Sequence, residues 1–165
     1  MTDAALLDRL QYVEDKLEIY ELKAAYCAAC DDDHNPDTVI TLFAQNSVWE
    51  APGLITCNGP DELHAFFSTM GTPGGMRNSA HMVMNPRISI DGDQATGTWR
   101  FLMMWTGLLA HGGLQYIRII GTYEDRFIRE NGRWLFKSLR ANIEENDAYP
   151  TQEITVGGSS TEGQQ

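Results

Sequence analysis

Asn78-Ser79-Ala80-His81-Met82-Val83-Met84-Asn85-Pro86-Arg87-Ile88-Ser89-Ile90-Asp91-Gly92-Asp93-Gln94-Ala95-Thr96-Gly97-Thr98-Trp99-Arg100-Phe101-Leu102-Met103-Met104-Trp105 is the stretch in which the hydrophobic period drops to two. A period of two places successive side chains on opposite faces of an extended chain. The turn signal Asp91-Gly92 returns as Gly112-Gly113 and Asn131-Gly132, so the chain from Asn78 onward divides into four strands joined by tight turns and paired antiparallel. Within 95–105, Ala95, Gly97, Trp99, Phe101, Met103 and Trp105 alternate with Thr96, Thr98, Arg100, Leu102 and Met104. Both faces turn apolar toward the end of that strand. Helices are expected to cover one face there, and a partner subunit or a ligand the other.

Upstream the period is helical. Leu6, Leu10, Val13, Leu17, Tyr20, Ala24 and Cys27 recur at alternating steps of four and three, and the next position is Asp31. If the helix reaches that far, a carboxylate points where the leucines point, at the negative end of the helix dipole. Both circumstances disfavour its ionised form, which suits a general acid or base. If the helix stops at Cys30, Asp31-Asp32-Asp33-His34-Asn35 is a solvated turn. Asn35 can cap a short second helix with Pro36 in its first turn, burying Val39, Leu42 and Phe43. Residues 45–50 read as a strand around Val48 and Trp49. A third helix starts at Gly59-Pro60-Asp61-Glu62, buries Leu63, Phe66, Phe67 and Met70, and ends at Gly71, with 71–75 a loop. The expected fold is α+β: three N-terminal helices packed on a strongly curved, mostly antiparallel sheet with a concave pocket at its open end. Residues 1–149 form a single domain on this reading, and 150–165, rich in Gly, Ser, Thr and Gln, a flexible tail.

With 165 residues and 42% apolar content the chain can bury a full core, and its net charge of −11 without a basic cluster argues against nucleic-acid or anionic-membrane partners. A small hydrophobic molecule fits better. No apolar run reaches the roughly twenty residues of a membrane span, and the acidic, amphipathic start is unlike a signal peptide, so the expected location is cytoplasmic. Three cysteines without framework spacing agree with a reducing compartment. Cys27-Ala28-Ala29-Cys30 matches C-x-x-C, but near a helix C-terminus the dipole raises a thiol pKa, and packing is the better reading. Asp31, Asp33, His34 and His64 show no metal-ligand spacing, no Gly-rich phosphate loop follows a strand, and Gly-x-Ser-x-Gly is absent. No cofactor and no metal are therefore expected. Met76, Met82, Met84, Met103 and Met104 are core or the lining of a pocket for a bulky apolar ligand.

The candidate chemistry centres on His81, which has apolar neighbours and can take a proton if a carboxylate stabilises the imidazolium; Asp31 is the natural partner. Tyr26 lies about 140° round an ideal helix from Asp31. Its phenol either donates to a substrate oxygen or only packs on the Leu22, Tyr26, Cys30 row. Arg140 shares strand parity with Trp134, Phe136 and Ser138, which aims a guanidinium into the cavity if that face is inner; otherwise it is an ion-pair partner of Glu144 or Glu145. His81 alone also reads as a hydrogen-bonded core histidine.

The stretches Tyr26-Cys27-Ala28-Ala29-Cys30-Asp31, Leu42-Phe43-Ala44, Ser47-Val48-Trp49-Glu50, Asn85-Pro86-Arg87-Ile88-Ser89-Ile90-Asp91-Gly92-Asp93 and Tyr123-Glu124-Asp125-Arg126-Phe127-Ile128-Arg129-Glu130-Asn131-Gly132-Arg133-Trp134 resemble the SnoaL-like branch of the nuclear transport factor 2-like superfamily, with a cystatin-like cone fold. The resemblance covers 5–145 and implies a cone-shaped half-barrel. That architecture hosts scytalone dehydratase, ketosteroid isomerase, polyketide cyclases, bile-acid 7α-dehydratase, hexachlorocyclohexane dehydrochlorinase and non-enzymatic binding domains. Catalytic members of the dehydratase and dehydrochlorinase type carry an acid at the end of the first helix with a Tyr or Lys five residues before it. They add a His on the first long strand and, in several, an Arg near the end of the last strand. Asp31, Tyr26, His81 and Arg140 stand at the matching places. Where relatives add a further acid or His, this chain has Trp105 and Thr106, with His111 nearby toward the turn, so a full dehydratase relay is not implied.

The resemblance thus implies a cofactor-independent lyase or isomerase acting on a small hydrophobic cyclic substrate such as a steroid, terpenoid, polyketide or aromatic intermediate. Trp49, Phe67, Met84, Phe101, Met103 and Trp105 are expected to shape its pocket, and a homodimer or homotrimer to bury exposed aromatics. The alternatives are a non-catalytic small-molecule-binding module and the small subunit of a ring-hydroxylating dioxygenase.

Overall fold

The computed structural model describes residues 2–70, 76–108 and 114–150. Helix α1 (Asp3–Asp31) is capped by the Thr2 hydroxyl and followed by the short α2 (Pro36–Ile40), whose Asn35 cap and leading Pro36 are as expected. Strands β1 (Phe43–Ala51) and β2 (Ile55–Asn58) precede α3 (Gly59–Met70). The long strands β3 (Arg77–Asp91), β4 (Gln94–Leu108), β5 (Leu114–Glu130) and β6 (Arg133–Pro150) complete the chain. The sheet order is β2-β1-β6-β5-β4-β3, antiparallel throughout except where β1 runs parallel to β6. The result is a curved, unclosed α+β half-barrel with the helices on its concave face. The four-residue strand β2, the partner of β1, is an element the period reading did not contain. The expected 71–75 loop, the Gly112-Gly113 turn and 151–165 of the expected tail lie outside the described residues, while Pro150 belongs to β6.

The four-strand meander follows the period-two reading. Asn131 and Gly132 both take positive φ, 52° and 75°, between the paired residues Glu130 and Arg133, the backbone of a two-residue type I′ turn. Trp99, Phe101 and Met103 of β4, Ile117, Ile119, Tyr123 and Phe127 of β5, and Trp134, Phe136, Leu139 and Ala141 of β6 form the buried inner face. Gly121 lets the Phe101 ring lie over the sheet: a Cβ there would stand 2.6 Å from that ring and 2.2 Å from the Asn142 carbonyl oxygen.

The face of α1 differs from the expected stripe. Leu6, Leu10, Val13, Leu17 and Tyr20 are exposed, and Asp15, Ile19, Leu22, Lys23, Tyr26, Cys27 and Cys30 are buried. The packed face holds two charges, and each has a partner on β5. The Asp15 carboxylate accepts from Arg129 (2.6 Å), Trp134 (3.3 Å) and Gln11 (3.1 Å), and Lys23 Nζ lies 2.9 Å from Asp125 Oδ2. Burial alone would raise the Asp15 pKa, but these hydrogen bonds outweigh it and hold the carboxyl below its usual value. Reading charged residues as outward therefore assigns the wrong side of the helix.

Candidate active site

The site grows from the end of α1. The helix runs through Asp31 and then reverses through two consecutive left-handed residues, Asp33 (φ 50°) and His34 (φ 56°). The reversal is held by Asp32 N–H to Ala28 O, His34 N–H to Cys30 O and Asn35 N–H to Ala29 O. These bonds satisfy carbonyls that a helix end otherwise leaves open. The first residues of β3 dock against this end: Ser79 Oγ–H donates to the Cys30 carbonyl at 3.1 Å, and the backbone N–H of His81 donates to both Asp31 oxygens at 3.0 and 3.1 Å.

His81 Nδ1 lies 2.6 Å from Asp31 Oδ1. With Nδ1–H donating to the carboxylate, Nε2 of the neutral ring carries the free lone pair. The His81 side chain is 5% exposed, whereas that of Asp31 is 33% exposed, so the ring is shielded and the acid half open to water. Burial lowers the His81 pKa, and the hydrogen bond and charge of Asp31 pull it back up. The imidazole is accordingly neutral at pH 7 and able to accept a proton.

A cavity of about 420 Å³ opens beside this pair, lined by apolar and aromatic groups with few polar ones. Of the residues expected to shape it, Trp49, Phe67, Phe101, Met103 and Trp105 line it. Met84 does not and is 44% exposed. Met84 lies opposite Arg100 in a regular stretch of the β3–β4 ladder, where it alternates with His81 and Val83; an irregularity follows between Met84 and Arg87, where Asn85 adopts φ 52° before Pro86. His81 and Val83 pair with Met103 and Phe101 on the inner side of this bulge, and Ile88 and Ile90 pair with Gly97 and Ala95 beyond it. Met84 falls on the outer side.

Tyr26 also lines the cavity, buried, and its phenol oxygen accepts the Trp49 indole N–H at 2.9 Å. Burial raises its pKa well above that of free tyrosine, so the phenol keeps its own proton to donate. Arg140 departs from its expectation. The β5–β6 ladder shifts register between Arg126–Ser138 and Phe127–Phe136, leaving Lys137 as the extra residue. Parity flips there, so Leu139 and Ala141 face inward and Arg140 outward. Its guanidinium donates to Glu50 (3.2 Å) and Asn142 (3.0 Å), while Glu144 and Glu145 are taken by Arg100 and Arg118.

Three polar residues of the lining were not in the sequence reading: His34, Tyr123 and Asn146. Tyr123 has the inward parity of Phe127. A second shift, between Ile120 and Gly121, turns Asn146 inward beyond Ile143. His34 was read only as part of a turn or a stray metal ligand, and nothing in its local sequence marks it as buried. Cys30, also in the lining, has its thiol pKa raised by burial, and burial raises that of Cys27 to about 11. Among the described residues no three His, Cys, Asp or Glu side chains converge as a metal ligand set.

Several solved structures share this architecture. A type 2 hexachlorocyclohexane dehydrochlorinase superposes with a TM-score of 0.76 at 18% identity over 92% of this chain and 99% of its own. A proposed scytalone dehydratase of Novosphingobium aromaticivorans gives 0.74 at 18% identity over 86% and 91%. A proposed aromatic ring hydroxylase of the same species gives 0.74 at 23% identity over 82% and 94%. No curated protein matches the chain in sequence. The sequence model of the SnoaL-like domain matches residues 11–140. That match spans most of the chain, which therefore belongs to the SnoaL-like domain family.

Proposed function

We propose that this protein is a cofactor-independent lyase or isomerase that moves a proton on a small, uncharged, hydrophobic cyclic substrate. The observation that carries this reading is the 2.6 Å pairing of His81 Nδ1 with the Asp31 carboxylate beside an apolar cavity. His81 Nε2 takes a proton from a carbon acidified by a neighbouring carbonyl or leaving group, and Asp31 stabilises the imidazolium. Tyr26 polarises a substrate oxygen with its phenol proton. The described lining contains no Lys or Arg, so nothing there neutralises a carboxylate or phosphate, which favours an uncharged ligand. The dehydrochlorinase and dehydratase among the structural neighbours accord with proton abstraction coupled to loss of a leaving group. An open, apolar cavity also fits this role better than that of a dioxygenase subunit.

The exposed apolar row Leu6, Leu7, Leu10, Val13 and Leu17 supports self-association as a homodimer or homotrimer, which sedimentation equilibrium tests. The unpaired thiols Cys27, Cys30 and Cys57 accord with a cytoplasmic location. For the chemistry, 2-tetralone in D2O is the probe, because its ring carbons beside the carbonyl carry acidic hydrogens. Exchange followed by proton NMR is expected to exceed the buffer rate and to fall by about 10²–10³-fold in Asp31→Asn and His81→Gln. Equal exchange in the variants rejects the reading; binding without exchange supports the non-catalytic module instead.

A further inference from the structure

We propose that His34 is the second imidazole of this site and that its Nε2–H donates a hydrogen bond to the oxygen or halogen beside the carbon deprotonated by His81. The inference rests on the proton-transfer reading of Asp31 and His81 and adds to it the group that meets the substrate's polar atom.

The first support is backbone. Asp33 and His34 are two successive non-glycine residues in the left-handed region, a conformation that carries backbone strain. The effect of this turn is to send the His34 side chain back under the helix end, where it is 3% exposed among exposed neighbours Asp32 and Asp33. Its ring centroid lies 5.5 Å from that of His81, edge to face, and 5.9 Å from that of Phe67 on α3. It lines the same cavity.

The second support is the ring itself. His34 Nδ1 is buried with no hydrogen-bond partner. A sealed N–H without an acceptor is worse tolerated than a bare lone pair, so the proton of the neutral ring resides on Nε2, the nitrogen left to meet a ligand. The charged and titratable groups near it are Asp31 and Asp33 from the helix end and His81 from β3; Phe67 on α3 brings none. Burial and His81 outweigh the two carboxylates, and the His34 pKa falls to about 4. His34 thus stays neutral where His81 works.

The two rings divide the labour. Asp31 is hydrogen-bonded to His81, and neither Asp31 nor Asp33 hydrogen-bonds His34, so His81 can become a stabilised cation and His34 cannot. In an elimination, His81 Nε2 takes the proton, the C–H electrons form the double bond, and the leaving atom departs with the electrons of its own bond. A departing hydroxyl takes the proton back from His81 and leaves as water; a halide leaves as the anion and His81 releases its proton to solvent. His34 keeps its proton throughout. In an isomerisation it holds the enolate oxygen instead. The substrate class this selects is an uncharged ring system with a hydrogen-bond acceptor adjacent to an acidic C–H.

Two measurements on the full chain test this. Two-bond proton–nitrogen correlation spectra of the imidazoles are expected to give His34 as the neutral Nε2–H tautomer from pH 5 to 8. Calorimetric affinities for 2-tetralone and for tetralin, which lacks the carbonyl, form the second. The preference for 2-tetralone is expected to shrink about five- to tenfold in His34→Phe and to survive in His34→Gln, whose amide retains a donor. A charged or Nδ1–H ring, or an unchanged preference in His34→Phe, overturns the proposal. Normal exchange loss in the Asp31 and His81 variants alongside such a result leaves the proton-transfer reading standing, whereas failure of that exchange test with an intact His34 result rejects the dyad alone.

Discussion

The same helix makes two acid–base partnerships with the same sheet, eight residues apart, and they are opposites. Lys23 and Asp125 are both fully buried, 2.9 Å apart, with the ammonium 3.6 Å above the Tyr123 ring. Asp31 and His81 are closer, at 2.6 Å, but Asp31 is a third exposed and His81 lines the cavity. Burial drives the Asp125 pKa up, opposed by Lys23, and no ligand can reach either group. The lesson is that burial without access makes a structural pin, while burial with access leaves a pair a ligand can meet.

Breaking the sealed pair has the largest expected effect on the fold. Lys23→Ala leaves Asp125 without its cation, an expected loss of about 3–5 kcal/mol and a Tm drop on the order of 10 °C by calorimetry. The double variant Lys23→Met with Asp125→Leu is expected to recover most of it. Breaking the open pair should do the reverse. Asp31→Asn is expected to keep Tm within a few degrees while losing the exchange activity, because the carboxylate is partly solvated. Equal Tm losses in the two variants would erase the distinction between the regions.

Acidification sharpens it further. The folded His34 pKa is about 4 against roughly 6.5 unfolded, so the unfolded chain binds the proton first as pH falls. Stability is full above about pH 6.5 and declines toward pH 4, by roughly 3 kcal/mol from this residue. Denaturant titrations of wild type and His34→Gln across that window should differ in slope, with the variant flatter. His81, lowered in the same sense by burial, contributes to the residual slope in the variant. The smallest effect is expected from Tyr26→Phe: about tenfold in exchange rate, with a modest stability loss because Trp49 Nε1–H loses its buried acceptor.

The meander, its Asp91-Gly92 and Asn131-Gly132 turns and the helix reaching Asp31 were legible because they depend on local period and turn chemistry, and the pairing of that acid with a strand histidine because of the family resemblance. The face of α1 was not. Asp15 and Lys23 lie on the buried side only because Arg129 and Asp125 meet them from β5, and a linear pattern carries no record of such partners. Arg140 was misplaced for a related reason. One extra residue in β6 reverses parity there, and whether a strand bulges is decided by the register of its neighbour. Met84 was misplaced because it alternates with His81 and so faces away from the cavity that His81 lines.

By itself, then, the order of residues determined the class of fold and the meander with its Asp91-Gly92 and Asn131-Gly132 turns, since periodicity and turn geometry are properties of the chain alone, while the family resemblance pointed to Asp31 and His81. Tertiary structure decided which helix face is buried, which cation is turned away, and that His34 is folded into the cavity. Each of those outcomes is a contact between distant segments, and its energy exists only once both are in place.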